Sequence, residues 1–341
     1  MKLSWYRVSL HTRLPFVIAR WGYSGHENVI VSITDDGITG MGEAAPNRYY
    51  KESADSVVAA LEVYQPLIEK AQYWSLEAID RTLADALAGN ASARAAVSAA
   101  LHDLFSRKLS VPLHRMWGLS PDATPPTSFT IAIDDVDGLK RRVVEAKEYP
   151  ILKVKLGTDR DEEIVRTVRE AAPDKTLRVD ANAAWTPVEA VERAAMLRDN
   201  AVESLEQPVA ASDIEGMRFV RERCGMPVIA DESCLISQDI PRLAGACDAI
   251  NIKLAKCGSL REAMRMIHTA RAHEMQVMAG CMIETSLGIS AIAQLAPLLD
   301  AADFDGAALL ADDPFSGVTI HGGQVALQNA PGLGVSRRPP A

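Results

Sequence analysis

The sequence predicts an α/β protein in which a closed parallel barrel follows a smaller α+β region. Three observations carry that expectation. From about Ser128 onward, short apolar or β-branched runs alternate with helical patterns, as in successive βαβ units. About eight such units fit into roughly 190 residues, which suits a barrel; an open doubly wound sheet remains the alternative, because periodicity alone does not show closure. Before Ser128 the pattern is a hairpin followed by three helices, a different kind of layer.

Taken in order, Leu3 to Leu10 and Val17 to Arg20 read as short strands. Asn28 to Thr34 is a stronger strand, and Asp35-Asp36-Gly37 signals a hairpin whose return strand ends near Glu43. Helical spacing follows over Ser53 to Lys70, Leu76 to Ala88 and the alanine-rich Ser92 to Lys108, whose job is packing. The second part carries strand-like runs at Phe129 to Ile133, Ile151 to Lys155, Leu177 to Asp180, Val202 to Glu206, Val228 to Asp231, Ala249 to Lys253, Val277 to Ala279 and Asp303 to Ala308. Between them lie helices such as Asp159 to Ala172, Pro187 to Asn200, Ile214 to Cys224 and Leu260 to His273.

Composition removes several classes of function. With 48% hydrophobic and 24% charged residues in 341, the chain is neither disordered nor a coiled coil. A formal charge of −9 argues against nucleic acid or an anionic membrane as the main partner. No run of 18 apolar residues offers a membrane span, and Met1 to Leu14 has no continuous signal-peptide core. Cys224, Cys234, Cys247, Cys257 and Cys281 are odd in number and lack the spacing of a zinc clip. They read as unpaired thiols of a reducing, cytoplasmic compartment, with Cys281 the best candidate if one were catalytic.

The informative residues are charges at strand ends. Five strand-like runs in succession end in an ionisable residue: the Lys153-Val154-Lys155 pair, then Asp180, Glu206, Asp231 and Lys253. From Lys155 the intervals are 25, 26, 25 and 22 residues, about one βα unit each. Each group therefore arrives at the same end of its strand, and the C-terminal face of a barrel is where active sites are built. Asp180, Glu206 and Asp231 come from three consecutive strands. Three converging carboxylates repel unless a cation sits between them, and oxygen-only ligation favours Mg2+ over Zn2+. Lys153 and Lys155 share a strand face, whereas Lys253 lies four strands on, across the barrel. A substrate carbon held near the metal would be flanked by a lysine on each side. One acid at a strand end is usually a helix cap, and a lone Lys-x-Lys a solvated edge. The set as a whole resists that reading, because burying lysines beside carboxylates costs stability.

These residues resemble the enolase superfamily, in its muconate-lactonizing subgroup. The resemblance rests on Lys153-Val154-Lys155, Arg178-Val179-Asp180-Ala181-Asn182, Glu206-Gln207-Pro208, Ala230-Asp231-Glu232-Ser233 and Asn251-Ile252-Lys253. Leu101-His102-Asp103, Pro112-Leu113 and the tail Pro331-Gly332-Leu333-Gly334-Val335 extend it over nearly the whole chain. It implies a modified (β/α)7β barrel, residues 124–315, under an N-terminal α+β capping domain, residues 1–123, to which residues 316–341 return. It also implies one Mg2+ held by Asp180, Glu206 and Asp231. Lys155 and Lys253 become the acid/base pair, and Lys153 assists by neutralising a carboxylate or enolate. Lysine bases with Mg2+ are a known arrangement of enolase-superfamily sites, so this part is carried over from the family. The chemistry is coherent: a proton beside a carbonyl is weakly acidic, the metal stabilises the enolate, and Mg2+ with neighbouring cations should lower each lysine's pKa toward a useful value. Two opposed lysines then give inversion, a 1,1-proton transfer.

Asp303-Phe304-Asp305 reads as two acids on one side of the last strand, and it resembles the signature of dipeptide epimerases, where the pair holds the α-ammonium. The resemblance implies a dipeptide substrate epimerised at its C-terminal residue. The alternative within the superfamily is an o-succinylbenzoate synthase or a muconate cycloisomerase, whose substrates carry no ammonium. Cys281, Met282 and Glu284 follow the seventh strand in a pattern similar to the epimerases, and Thr130 on the first barrel strand is a further binding candidate. Arg20, Trp21 and Tyr23 in one capping loop, with Asn47, Arg48, Tyr49 and Tyr50 in another, should choose the substrate side chain. Trp21 stands where an Ala-Glu epimerase is expected to place an arginine, and aromatic residues favour an apolar or cationic side chain instead. Family members are often homo-oligomers; the sequence itself does not set the state.

Overall fold

The computed structural model describes residues 1–339, and the side chains of Tyr23 and Ser24 lie outside the described residues. The chain opens on an antiparallel sheet of β1 (Lys2–Ile18), β2 (Trp21–Asp35) and β3 (Ile38–Ala44). The predicted hairpin joins β2 to β3, with Asp36 and Gly37 both at positive φ, 50° and 77°. That is the two-residue turn whose twist matches the strands. The two short strands expected in the first twenty residues are one continuous strand. Its register slips between His11 and Phe16, where Pro15 has no N–H to give the ladder.

Three helices cover this sheet: α1 (Ala54–Lys70), α2 (Leu76–Ala86) and α3 (Ala91–Lys108). The alanines of α3 have a cause in close approach. A Cβ on Gly42 would lie 2.1 Å from the Ala96 carbonyl oxygen, and one on Gly40 equally close to that of Ala100. Buried Asp103 on α3 accepts from the Met41 N–H of β3 at 2.9 Å and the Leu333 N–H at 2.8 Å, which ties in the C-terminal segment.

A short helix, α4 (Leu113–Met116), leads to eight parallel strands paired in chain order: β4 (Phe129–Ile131), β5 (Ile151–Lys155), β6 (Thr176–Asp180), β7 (Val202–Glu206), β8 (Val228–Ala230), β9 (Ala249–Ile252), β10 (Gln276–Gly280) and β11 (Ala301–Asp303). A bridge between Thr127 and Ala302 brings the last strand back beside the first, so the sheet is a barrel rather than an open sheet. The connections carry α5 (Val136–Glu145), α6 (Asp161–Ala171), α7 (Pro187–Asp199), α8 (Ile214–Cys224), α9 (Ile240–Leu243), α10 (Leu254–Cys257) with α11 (Leu260–Ala272), and α12 (Ser286–Ala293), giving (β/α)7β. The sequence did not predict α5 or α12. Every residue of α12 is buried, so its apolar residues show no helical period. The run from Asp303 to Ala308 is mostly not a strand: Asp303 ends β11, and Gly306–Leu309 is a 3-10 turn.

Strand side chains alternate as a barrel requires. Leu152, Val154, Val179, Leu205 and Ile250 face the helices in the main core. Ile229, Ala249 and Met278 form a separate small cluster, one layer before Asp231, Asn251 and Gly280 on the same strand face. The capping sheet is locked to the barrel by Glu43, buried at the end of β3. Its carboxylate accepts from Asn28 Nδ2 at 2.7 Å, Thr285 N at 3.0 Å and Gly288 N at 2.9 Å. The last two are N–H groups at the start of α12 that lack intrahelical acceptors. Among the described residues no helix is long and apolar enough to cross a membrane.

Candidate active site

The charged strand ends meet in one buried cluster. Lys153 Nζ lies 2.8 Å from Glu206 Oε2, 2.8 Å from Asp303 Oδ2 and 3.5 Å from Asp180 Oδ2. Lys155 Nζ donates to Asp180 Oδ2 at 2.6 Å, and Lys253 Nζ donates to Asp231 Oδ2 at 2.7 Å. Asp180, Glu206 and Asp231 each offer a carboxylate oxygen within 4.8 Å of the other two. The backbone just past two of these acids is strained: Asn182 and Gln207 sit at φ 47° and 35°. Such strain persists where packing over-determines it, commonly at functional sites.

Electrostatics follow from burial and pairing. Burial raises Glu206 and Lys153 only partly opposes it, with Asp180 and Asp231 adding to the rise, so its pKa stands at about 7. For Asp231, burial is outweighed by Lys253 and Lys256, which hold it well below the usual carboxylate range. Lys153 is raised well above an ordinary lysine, because Asp303, Glu206 and Asp180 overcome its burial. Lys253 is raised too, with Asp231 overcoming burial. The lowering expected from the sequence rests on Mg2+ together with neighbouring cations. The protein's own carboxylates act the other way on Lys153 and Lys253, since Asp180, Glu206, Asp231, Glu232, Asp303 and Asp305 outnumber Lys153, Lys155, Lys253, Lys256 and Arg20 by one.

Above the cluster is a partly open cavity. Lys155, Lys253, Asp231, Asp303, Asp305, Thr130, Arg20, Tyr50, Cys281 and Met282 line it, as do Asn47 and Tyr49. Trp21 does not. It stands in a neighbouring hollow with Arg48 stacked over its ring at 4.2 Å. Glu284 also stands off the cavity wall. It accepts from Met282 N at 2.8 Å near Glu43, and burial followed by Glu43 pushes its pKa to about 7. The Tyr23 side chain lies outside the described residues. Burial, Asp305 and Glu284 push the Cys281 thiol well above the ordinary value, which disfavours the reactive thiolate.

The two acids of Asp303-Phe304-Asp305 both reach the cavity, but not as two positions of one strand. Asp303, at the end of β11, is held by Lys153 and by Ser128 Oγ at 2.7 Å. Burial would raise it, yet Lys153 and Lys155 bring it down to about 2. Asp305, beyond the strand, accepts from Thr130 N at 2.6 Å, and burial plus Asp303 lift it to about 7.

Comparison with known proteins agrees with this geometry. A family model described as "Mandelate racemase / muconate lactonizing enzyme, N-terminal domain" matches residues 2–118, and one described as "Enolase C-terminal domain-like" matches residues 136–341. The chain belongs to the enolase superfamily. An L-Ala-D/L-amino acid epimerase of a Maribacter species is 40% identical over 98% of this chain and 99% of its own. The L-Ala-D/L-Glu epimerase of Bacillus subtilis, solved with substrate, superposes with a TM-score of 0.94 at 32% identity, covering 98% of this chain and 99% of that one. A dipeptide epimerase of Enterococcus faecalis, solved with Mg and the dipeptide L-Leu-L-Tyr, gives 0.93 at 32% identity with the same coverage. This superfamily member is accordingly an isomerase, an epimerase by class.

Several residues of this enolase-superfamily site escaped the sequence. Buried Lys256 donates to Asp231 Oδ1 at 2.6 Å, to the Asp231 carbonyl at 2.6 Å and to the Asn251 carbonyl at 2.8 Å. Nothing in the sequence separates it from a solvated helix lysine, except that it comes one helical turn after Lys253. Asn251 donates to Glu206 Oε1 at 2.9 Å, and its own Oδ1 is buried without a partner. Asn182 Nδ2 reaches Asp180 Oδ2 at 3.2 Å. Asn182, Asn251 and Glu232 stood inside the quoted motifs without a role; Ser128 gave no signal.

Proposed function

We propose that this protein is a Mg2+-dependent dipeptide epimerase that inverts the α-carbon of the substrate's C-terminal residue by 1,1-proton transfer. The observation that carries the reading is the placement of Lys155 and Lys253 on strands four apart in a ring of eight, both lining one cavity, with Asp303 and Asp305 on that cavity's wall. The solved relatives that bind Mg and dipeptides support it.

The acids fit a hard divalent ion. Asp180, Glu206 and Asp231 form an all-oxygen donor set, and they are buried together. These three would hold Mg2+, which supplies a Lewis acid at the oxygen where negative charge develops. The rest falls to the protein. Asp303 and Asp305 take the α-ammonium; burial and then Asp303 raise Asp305 to about 7, and a cation there favours its ionised form. Lys153, locked among Glu206, Asp303 and Asp180, stays protonated and offsets charge growing on the carboxylate end. Of Lys155 and Lys253, the one facing the hydrogen removes it in its neutral form, which Mg2+ on the three acids would favour by offsetting their charge, and the other returns a proton to the opposite face as an ammonium. The paired acids disfavour o-succinylbenzoate synthase and muconate cycloisomerase, whose substrates bring no cation to them. Free, mostly buried cysteines support a cytoplasmic setting.

The test is to incubate L,L-dipeptides with the protein, with and without Mg2+ after chelation, and separate epimers by chiral chromatography. The L,D epimer should form only with Mg2+. Formation of no epimer from any dipeptide, or undiminished activity in chelator, would overturn the proposal.

A further inference from the structure

The capping side of the cavity carries an ion pair that this chemistry does not use. Arg20, in the turn between β1 and β2, donates from Nη2 to Glu232 Oε1 at 2.6 Å and from Nη1 to the Asn182 carbonyl at 2.8 Å. Glu232 follows Asp231 past the end of β8 and is buried. The guanidinium also lies over the Tyr49 ring, 4.2 Å from its centroid.

Strand order says where this pair stands relative to a substrate. In a closed ring of eight, β5 faces β9 and β7 faces β11. Lys155 and Lys253 occupy the ends of the first diameter. Asp303 and Asp305 take one end of the second. Asn182 and Glu232 follow β6 and β8, the strands on either side of β7, so Arg20 and Glu232 stand at its other end. A dipeptide with its ammonium at the two aspartates and its α-carbon between the lysines meets Arg20, Glu232 and Tyr49 with its C-terminal residue.

Set aside the groups assigned to proton transfer, metal and ammonium. Arg20 and Glu232 are then the charged residues that remain on the described wall, and each is answered by the other. The rest of the wall there is uncharged, with Ile18, Tyr49, Tyr50 and Met282 prominent. Resting on the dipeptide reading above, we infer that the Arg20–Glu232 pair sets specificity, admitting uncharged C-terminal side chains and rejecting acidic ones. An acidic side chain that engages the Arg20 guanidinium competes with Glu232 for its charge. To the extent that it wins, a buried carboxylate beside Asp231 loses its counter-ion, an outcome proteins avoid. An uncharged side chain packs against the rings and leaves the pair intact.

The experiment compares kcat/KM for L-Ala-L-Phe, L-Ala-L-Leu and L-Ala-L-Glu, with Mg2+, in the native protein and in Glu232→Gln. The native enzyme should favour the uncharged side chains by about a hundredfold, and Glu232→Gln, which frees the guanidinium at constant shape, should narrow that ratio about tenfold, mainly through KM for L-Ala-L-Glu. A native enzyme that turns over L-Ala-L-Glu as well as L-Ala-L-Phe overturns the inference and leaves the dipeptide reading standing. So does a Glu232→Gln enzyme with unchanged selectivity. Turnover of no dipeptide overturns both. Should Glu232→Gln not fold, the native ratio decides alone.

Discussion

Lys253 and Lys256 grip the two oxygens of one carboxylate. Lys253 Nζ lies 2.7 Å from Asp231 Oδ2, and Lys256 Nζ lies 2.6 Å from Oδ1. Lys256 is fully enclosed and also holds three backbone carbonyls, including that of Cys234 at 3.1 Å. It therefore fixes the orientation of Asp231, while Lys253 faces the cavity. Lys256→Met should weaken Mg2+ binding roughly 10- to 100-fold, as loss of a partner behind a metal ligand does. Titration calorimetry reads this directly, and an unchanged Mg2+ affinity would refute the positioning role.

Lys155 and Lys253 should separate by stereochemistry. Lys155→Ala and Lys253→Ala should each lose about 10²–10⁴-fold in epimerisation, the usual worth of a positioned acid or base. Each should still exchange the α-hydrogen of one epimer with solvent, and the two variants should exchange opposite epimers. NMR of each variant with each epimer tests this; loss of exchange from the same epimer in both would contradict opposed faces.

Asp303 has two tasks, and they can be told apart. Asp303→Asn keeps the shape but removes the charge that faces Lys153 at 2.8 Å. Its KM for a free dipeptide should rise about tenfold or more, in line with loss of a charge-assisted hydrogen bond. The same logic makes an N-acetylated dipeptide a poor substrate of the native protein. Equal kcat/KM for capped and free dipeptides would remove the ammonium cradle from the account.

Glu284 predicts the pH dependence of stability. Burial and Glu43 hold its folded pKa at about 7, against an ordinary 4.5. Between those values the folded protein keeps a proton that the unfolded chain has released, so this group lowers stability as pH rises through that window, by at most about 3 kcal/mol. Asp303 acts in the opposite sense at low pH. Its depressed pKa of about 2, against 3.8, stabilises the fold above about pH 4 and stops doing so as pH falls toward 2. Thermal melts of native protein and Glu284→Gln from about pH 5 to pH 8 should show a smaller decline of Tm in the variant. Parallel curves would contradict the assigned burial.

Strand-end charges made the barrel and its cluster legible, because helix caps and solvated edges do not account for five such ends in succession at an interval of one βα unit. Lys155, Asp180, Glu206, Asp231 and Lys253 converge as that spacing implied. What escaped lacks such a pattern. The helix α12 is apolar all round, so no period betrays it. Lys256 looks like any surface lysine until the turn after Lys253 folds it inward. Trp21 was expected in a capping loop facing the substrate; it is the first residue of β2, paired with Ile18. The structure instead turns its neighbour Arg20 toward the barrel and stacks Trp21 against Arg48. The raised Lys253 was hidden for a different reason: its balance depends on three-dimensional distances to Asp231 and Glu206, not on sequence neighbours.

The most direct test of the two-lysine scheme is isotopic. With Mg2+ in D2O and early in the reaction, the L,D product should carry deuterium at the C-terminal residue's α-carbon, while unreacted L,L-dipeptide is still protiated there. One lysine then removed the hydrogen and the other delivered the solvent-derived one. Product that retains its original hydrogen, or deuterium appearing in substrate and product at equal rates, would contradict it.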